Sequence, residues 1–129
     1  MVGSNPGAAE HFLASSSLGL AVLMRVREVL AESHPDVTER VGRSQVVFRR
    51  RRGFAYLWMP GHYLTNPRAD VVLSLALTSR LESPRFKEVI HPARTTWMHH
   101  LELHAAEDVD DEVADWLVHA ADVAGPVAT

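Results

Sequence analysis

Three histidines and a glutamate fall within the segment TTWMHHLELH, residues 95–104. His100, Glu102 and His104 alternate along it, and alternate side chains of a β-strand project from the same face about 6.5–7 Å apart. Two imidazoles can bind a zinc ion at about 2.0–2.1 Å, and a carboxylate beside them can act as a ligand or as a general base. The spacing therefore permits the metal centre of a hydrolase.

A catalytic metal needs more ligands than this strand supplies, because such ions keep about three protein ligands and one open position. The third ligand would come from elsewhere, and His91 and His62 are the nearest candidates. Two other interpretations compete with the metal site. In one, the strand simply exposes a polar face to solvent; in the other, His100, Glu102 and His104 line a pocket for a polar ligand.

His99 lies on the other face of the same strand, between Trp97 and Leu101. A histidine among apolar neighbours is predicted to be a hydrogen-bonded core residue, and burial keeps it neutral because it disfavours the charged form. Buried histidines with shifted pKa values also occur in active sites, so a catalytic role is the alternative.

Three further segments have the β-branched and aromatic composition of strands. They are SQVVFRR, GFAYLWM and ADVVLSLALTS, and the first two are joined by RRRG as a hairpin. With the histidine-rich segment they predict a mostly antiparallel sheet of about four strands.

Helical signals stand at both ends of the chain. Apolar residues recur at helical spacing over residues 7–32, after Asn5-Pro6 as a predicted cap, with a predicted break at SSSLG where Ser17 would cap a second segment. A C-terminal helix would begin at Asp108 and end at Gly125. In SPRFKEVIHPAR, Ser83-Pro84 suggest one or two helical turns, and GHYLTNPR suggests a loop. The fold predicted is α+β, a single domain over residues 1–129 with the N-terminal and C-terminal helices packed on the sheet.

The second strand is apolar on both faces. Alternation places Phe54, Tyr56 and Trp58 on one face, and Ala55, Leu57 and Met59 on the other. The outer face of the sheet would therefore be covered by the N-terminal helix, be covered by a second subunit in a homodimer, or form a ligand groove with Val72, Ala76 and Met98. The candidate ligand-binding residues are His100, Glu102, His104, Arg94 and Trp58.

Composition excludes several kinds of site. The 129-residue chain has no cysteine, which rules out disulfides, thiol nucleophiles and cysteine-ligated metals. The N-terminal segment resembles neither a signal peptide nor a membrane span, so a soluble, cytoplasmic protein without membrane contacts is expected.

The charges are unevenly distributed along the chain. All 13 Lys and Arg residues precede residue 95, whereas the last 35 residues carry 8 acids and no Lys or Arg. The run of four arginines at residues 49–52 is interpreted as a solvated turn, as a contact with the acidic C-terminal helix, or as a site for an anion or nucleic acid. Nucleic-acid binding is not expected, because the net charge is −3 and no nucleic-acid-binding motif accompanies the run.

Four segments in order carry a family resemblance: SQVVFRRRRGFAYLWMP, VVLSLAL, SPRFKEVIHPARTTWMHHLEL and DVDDEVADWL. Over about Phe12 to Ala124 the chain resembles the DUF5655 family of small bacterial domains, and it is more distantly similar to the YdhG-like group of α+β domains. The resemblance implies an α+β fold and a bacterial protein. It implies no catalytic residue, substrate or cofactor, because the family has no assigned activity.

A binding or interaction module for a small polar ligand or a protein partner is the favoured function. The sequence contains no glycine-rich phosphate loop, nucleophile elbow or His-Glu-x-x-His motif, and no cofactor is expected. The alternative is a metal-dependent hydrolase with His100, His104 and His91 as ligands and Glu102 as general base. The sequence leaves open whether the protein is an enzyme.

Overall fold

The computed structural model describes residues 7–62 and 69–127 of the chain. The predictions of a cap at Asn5-Pro6 and of a loop over most of GHYLTNPR lie outside these residues. The helices are α1 (Ala8–Phe12), α2 (Ser17–Ser33) and α3 (Asp111–Ala124), with short 3₁₀ helices at Pro60–His62 and Ala106–Asp108. The strands are β1 (Thr38–Val41), β2 (Val46–Arg49), β3 (Gly53–Trp58), β4 (Val71–Leu77), β5 (Glu88–Ala93) and β6 (Thr96–Leu103).

Within the described residues, the sheet has six antiparallel strands in the order β1-β2-β3-β4-β6-β5. The four predicted strands correspond to β2, β3, β4 and β6, so the prediction of about four strands missed both edges. The predicted helical turns in SPRFKEVIHPAR are wrong, because Val89 and Ile90 pair with β6 as the edge strand β5. Pro92 is compatible with that position, since an edge strand does not need every backbone N–H for the ladder.

The capping residues differ slightly from those predicted. Ser16 rather than Ser17 caps α2, because its hydroxyl accepts a hydrogen bond from the Gly19 N–H at 2.8 Å. Asp110 rather than Asp108 caps α3, by accepting from the Val113 N–H at 3.1 Å. Gly125 ends α3 as predicted, with a φ of 79° that favours glycine.

Both long helices pack on the same face of the sheet. The Arg25 Nε on α2 donates to the carbonyl of Val109, immediately before α3, at 3.0 Å. One apolar core joins the helices to the sheet: Val22, Leu23, Val26, Leu30, Val113, Leu117, Ala120, Val46, Phe48, Leu57, Leu73, Leu75, Leu101 and Leu103. The α+β prediction is confirmed, and the interpretation in which the N-terminal helix covers the outer face is wrong.

A β-bulge in β3 places Phe54 in the core. Phe48 pairs with Ala55 and Arg49 pairs with Gly53, so Phe54 is an extra residue without a partner in β2. A bulge of this kind disturbs the alternation of side chains. Phe54 and Ala55 are therefore both buried in the core, and the prediction that Phe54 shares a face with Tyr56 and Trp58 is wrong.

The arginine run at residues 49–52 contacts the C-terminal end of α3. Arg50 donates from Nε to Asp36 at 2.9 Å and from Nη1 to the carbonyl of Ala121 at 2.8 Å. Arg52 donates to the carbonyl of Val123 at 3.0 Å. The last carbonyls of a helix carry partial negative charge and favour cations. Two of the four arginines therefore stabilise the fold through the C-terminal helix, which was one of the three interpretations.

None of the helices in the described part of the chain is long and apolar enough to cross a bilayer.

Candidate functional site

The sheet face opposite α2 and α3 contains an open groove of about 470 Å³. This volume lies in the range of small-molecule sites, about 300–1,000 Å³. The strands contribute aromatic, thioether and hydrogen-bonding side chains, and the loop before β2 contributes two polar ones. The groove is lined by Ser44, Gln45, Tyr56, Trp58, Ser74, Met98 and His100.

Strand register brings these side chains together. Tyr56 of β3 lies opposite Ser74 of β4, and Ser74 lies opposite His100 of β6. Side chains at paired positions point to the same face of a sheet. Trp58 follows Tyr56 by two residues in β3 and Met98 precedes His100 by two residues in β6, so both project from that same face. The groove floor is therefore built from the three central strands.

Trp58, Ser74 and His100 form a chain of hydrogen bonds below the groove. The Trp58 indole N–H donates to the Ser74 Oγ at 3.0 Å, and the same oxygen lies 2.6 Å from the His100 Nδ1. An indole N–H can only donate, so the Ser74 Oγ accepts from Trp58, and the same hydroxyl donates to Nδ1 or accepts from it according to the tautomer of His100. The chain holds the two rings in a T-shaped contact, with centroids 6.2 Å apart.

Burial determines the protonation of His100. The neutral ring accepts from Ser74 at Nδ1 when its proton is on Nε2, and donates to Ser74 when its proton is on Nδ1. Burial lowers the pKa of His100, and the charge of Lys87 also lowers it, whereas Glu88 acts to raise it. Nε2 has no partner in the described part of the chain. Every fully buried side-chain N or O atom in that part has a partner, so Nε2 is not fully buried. His100 thus presents an uncharged ring nitrogen to the groove, which donates or accepts according to the tautomer.

The Ser74–His100 contact does not form a nucleophile and base. Ser74 is only 2% exposed, and its oxygen already accepts the indole N–H of Trp58. A nucleophilic serine needs an accessible oxygen and a base that removes its proton. Ser74 instead positions the rings of Trp58 and His100.

Glu102 and His104 lie away from the groove. Alternation places Glu102 on the same face as His100, as predicted, but its carboxylate pairs with the Lys87 ammonium at 3.2 Å. His104 follows the last residue of β6 and is exposed, and its backbone N–H donates to Asp108. Neither residue lines the groove.

His91 lies on the opposite face of the sheet from His100. Its ring stacks on Trp97 with centroids 3.8 Å apart, and Trp97 is adjacent to Met98, which lines the groove on the other face. The side chain of His62 lies outside the described residues. In the described part, no group of three or more His, Asp or Glu residues is arranged to hold a metal ion. The geometry thus gives no support to the predicted His100, His104 and His91 set.

Of the five predicted ligand residues, Trp58 and His100 line the groove. Arg94 lies in the turn between β5 and β6, away from the groove. Neither these five residues nor the predicted outer face of the sheet included Ser44, Gln45 or Ser74. Ser74 had a signal in the sequence, because it is the only hydroxyl in VVLSLAL, whereas the two loop residues had none.

His99 is a core residue, as predicted. Its Nε2 accepts from the Leu81 N–H at 2.9 Å, so the proton is on Nδ1, which donates to the Trp97 carbonyl at 3.1 Å. Burial lowers the pKa of His99, although two backbone hydrogen bonds act to raise it. The Phe86 ring packs against the His99 ring, with the ring centroids 4.8 Å apart. This histidine fastens the loop after β4 to the sheet.

Comparison with known proteins gives a family without an activity. A family model described as "Domain of unknown function (DUF5655)" matches residues 8–124, which confirms the resemblance seen in the sequence. No curated protein and no solved structure matches the chain.

Proposed function

We propose that this chain, which belongs to the DUF5655 family, is a binding domain for a small, planar aromatic ligand. The proposal comes from the geometry of the groove, because the family description names no activity. The observation that carries this proposal is the hydrogen-bonded chain of Trp58, Ser74 and His100 at the floor of an open, aromatic groove. The proposal specifies the small-ligand form of the binding function expected from the sequence.

The lining of the groove suits a flat ring. Tyr56 and Trp58 supply aromatic surfaces, and Met98 supplies a polarizable thioether that packs well on aromatic groups. The uncharged Nε2 of His100 supplies a hydrogen-bonding group at a fixed position. Few well-placed polar groups in a mainly apolar site are typical of small-molecule sites.

The floor of the groove is already ordered before a ligand binds. Ser74 bonds to both Trp58 and His100, so these rings lose little side-chain freedom on binding. Ordering a flexible side chain costs about 0.5–1.5 kcal/mol, and preorganisation removes that cost. The same bonds occupy Ser74, which favours binding over acyl-transfer chemistry.

Nuclear magnetic resonance of the tryptophan side chains tests this proposal. The protein has three tryptophans, and only Trp58 lines the groove. Trp97 stacks on His91 and Trp116 packs on Phe86. The indole N–H signal of Trp58 is assigned by its loss in Trp58→Phe, and the protein is titrated with indole, adenosine and riboflavin.

We expect saturable shifts of the Trp58 signal with at least one of these compounds, while the signals of Trp97 and Trp116 stay in place. Ser74→Ala should weaken binding severalfold because Trp58 and His100 lose their common partner, whereas Ser79→Ala, at an exposed position after β4, should not. An unmoved Trp58 signal at millimolar concentrations of every compound would contradict the proposal. Size-exclusion chromatography in parallel tests the separate prediction of a homodimer.

A further inference from the structure

Two arginines lie on the open face of the sheet beside the groove, Arg40 in β1 and Arg49 in β2. Glu39 bonds to Arg27 of α2, so it faces the helices, and alternation places Arg40 on the other face. Phe48 and Arg50 both contact the helix side, so Arg49 between them also points to the open face.

Neither arginine has a carboxylate partner in the described part of the chain. The arginines on the helix side differ in this respect. Arg27 pairs with Glu10 and Glu39, and Arg50 pairs with Asp36. No side chain among the described residues therefore neutralises the positive charge of Arg40 or Arg49 by an ion pair.

Arg40 belongs to the same row of side chains as the groove floor. The register runs from Arg40 through Val47, Tyr56 and Ser74 to His100. Neighbouring strands are about 4.8 Å apart, so the backbone of Arg40 is about 10 Å from that of Tyr56. An extended arginine side chain and an anionic group on a ligand together span this distance.

Arg49 acts on the same end of the groove. Its partner in β3 is Gly53, three residues before Tyr56. The positive charges of Arg49 and Arg52 act to lower the pKa of Tyr56, although burial of the hydroxyl outweighs them and raises it. The Tyr56 end of the groove therefore lies in a positive field.

The other end of the row has the opposite sign. Glu88 of β5 lies next to His100 and is exposed, whereas the charge of Glu102 is offset by Lys87. His100 adds no positive charge because burial favours its neutral form. An anionic group on a bound ligand is thus attracted towards β1 and β2 and repelled from β5.

We infer that the ligand is a planar aromatic molecule bearing a carboxylate or phosphate, with its ring over Tyr56 and Trp58 and its anionic group at Arg40 and Arg49. The inference rests on the proposed function of the groove and adds the charge and the orientation of the ligand. A guanidinium binds the two oxygens of a carboxylate or phosphate in parallel, which suits either group.

Matched ligands that differ only in charge test the inference. Indole-3-acetate is compared with the neutral indole-3-acetamide, and adenosine 5′-monophosphate is compared with adenosine. Dissociation constants are measured from the Trp58 indole signal in 20 mM and 500 mM NaCl. In low salt we expect at least one anionic ligand to bind about fivefold more tightly than its neutral partner, as for about 1 kcal/mol of ion pairing. The pair with the larger ratio identifies carboxylate or phosphate as the preferred group.

The anion preference should fall below about twofold in 500 mM NaCl, where charges are screened beyond about 4 Å. It should also fall in Arg40→Gln and in Arg49→Gln, while binding of the neutral ligands is unchanged. Arg94→Gln is the matched control. Like Arg40 and Arg49, Arg94 has no carboxylate partner in the described part of the chain, but it is exposed and lies away from the groove. Circular dichroism confirms that each variant is folded.

The outcomes separate this inference from the proposed function. Equal affinity for anionic and neutral ligands, with the Trp58 signal shifting in both titrations, overturns the inference and leaves the binding function intact. An anion preference that survives in the Arg40→Gln, Arg49→Gln double variant also overturns it. A Trp58 signal that moves with none of the four ligands counts against the groove as a binding site and overturns both.

Discussion

Replacing His99 by methionine should destabilise the protein by removing one buried hydrogen-bond acceptor. His99 is fully buried, and its Nε2 accepts from the Leu81 N–H at 2.9 Å. Methionine fills a similar volume but leaves that N–H without a partner. Glutamine is the matched control, because its side-chain oxygen reaches a similar position and can still accept.

The magnitude follows from the cost of an unpaired group. A buried donor left unsatisfied costs about 1–3 kcal/mol, and a change between side chains of similar volume adds less than about 1.5 kcal/mol. We expect His99→Met to lower the free energy of unfolding by about 1–3 kcal/mol at pH 7.5, and His99→Gln to lower it less. Urea denaturation followed by circular dichroism measures both, with an unchanged m value showing that only stability has changed.

The pH dependence provides a second readout of the same residue. Burial lowers the pKa of His99 in the folded protein below its ordinary 6.5. Below about pH 6.5 the unfolded chain therefore binds a proton at His99 that the folded protein does not bind. The contribution of His99 to the free energy of unfolding is complete above pH 6.5 and is lost as the pH falls. One such proton gives a slope of at most about 1.4 kcal/mol per pH unit. His100, whose pKa is also lowered, adds to the slope.

Both His99 variants should therefore lose less stability than the wild type between pH 7.5 and pH 5.5. His100→Gln should still show the part of this pH-dependent loss that comes from His99. The reasoning is refuted if His99→Met is as stable as the wild type at pH 7.5. It is also refuted if the loss of stability between the two pH values is the same in His99→Gln as in the wild type.

Three further predictions concern the arginine run and the histidine-rich strand. Arg50→Met should lower the free energy of unfolding by about 1–3 kcal/mol, because Asp36 and the Ala121 carbonyl lose a donor. Arg80→Met, at an exposed ion pair, is the control and should lower it by less than about 1 kcal/mol. Urea denaturation measures both variants. For the metal hypothesis, the protein is purified without a histidine tag, soaked in zinc or manganese, and dialysed. Elemental analysis should then find far less than one ion per chain, whereas one ion per chain would support the metal hypothesis. Gel-shift assays with single- and double-stranded DNA should show almost no retardation even at low salt, and a micromolar complex abolished by Arg50→Glu with Arg51→Glu would contradict this.

The elements with strong local signals were predictable from the sequence. The alternation of apolar residues in VVLSLAL predicts a strand, and acidic residues followed by an apolar stripe and Gly125 predict α3. The core position of His99 follows from the same alternation. These features depend on neighbours within a few residues, so the periodicity of the chain contains them.

The edge strands and the bulge were less accessible. The segments TERV and EVIHPA have little alternating apolar pattern, because an edge strand is stabilised by pairing on one side and covers little of the core. Phe54 looked like an outer-face residue until the register of β2 against β3 showed the extra residue. Register depends on contacts between strands, which local periodicity does not specify.

The common face of His100 and Glu102 was predictable from the residues alone, since side chains alternate along any strand. Three further features came from the folded structure: α2 and α3 leave this face open, His91 lies on the other face, and Ser74 joins Trp58 to His100. The two kinds of feature differ because a strand's alternation is a local property of the backbone. Which face the helices cover, and which side chains meet across strands, depends on the packing of segments far apart in the chain.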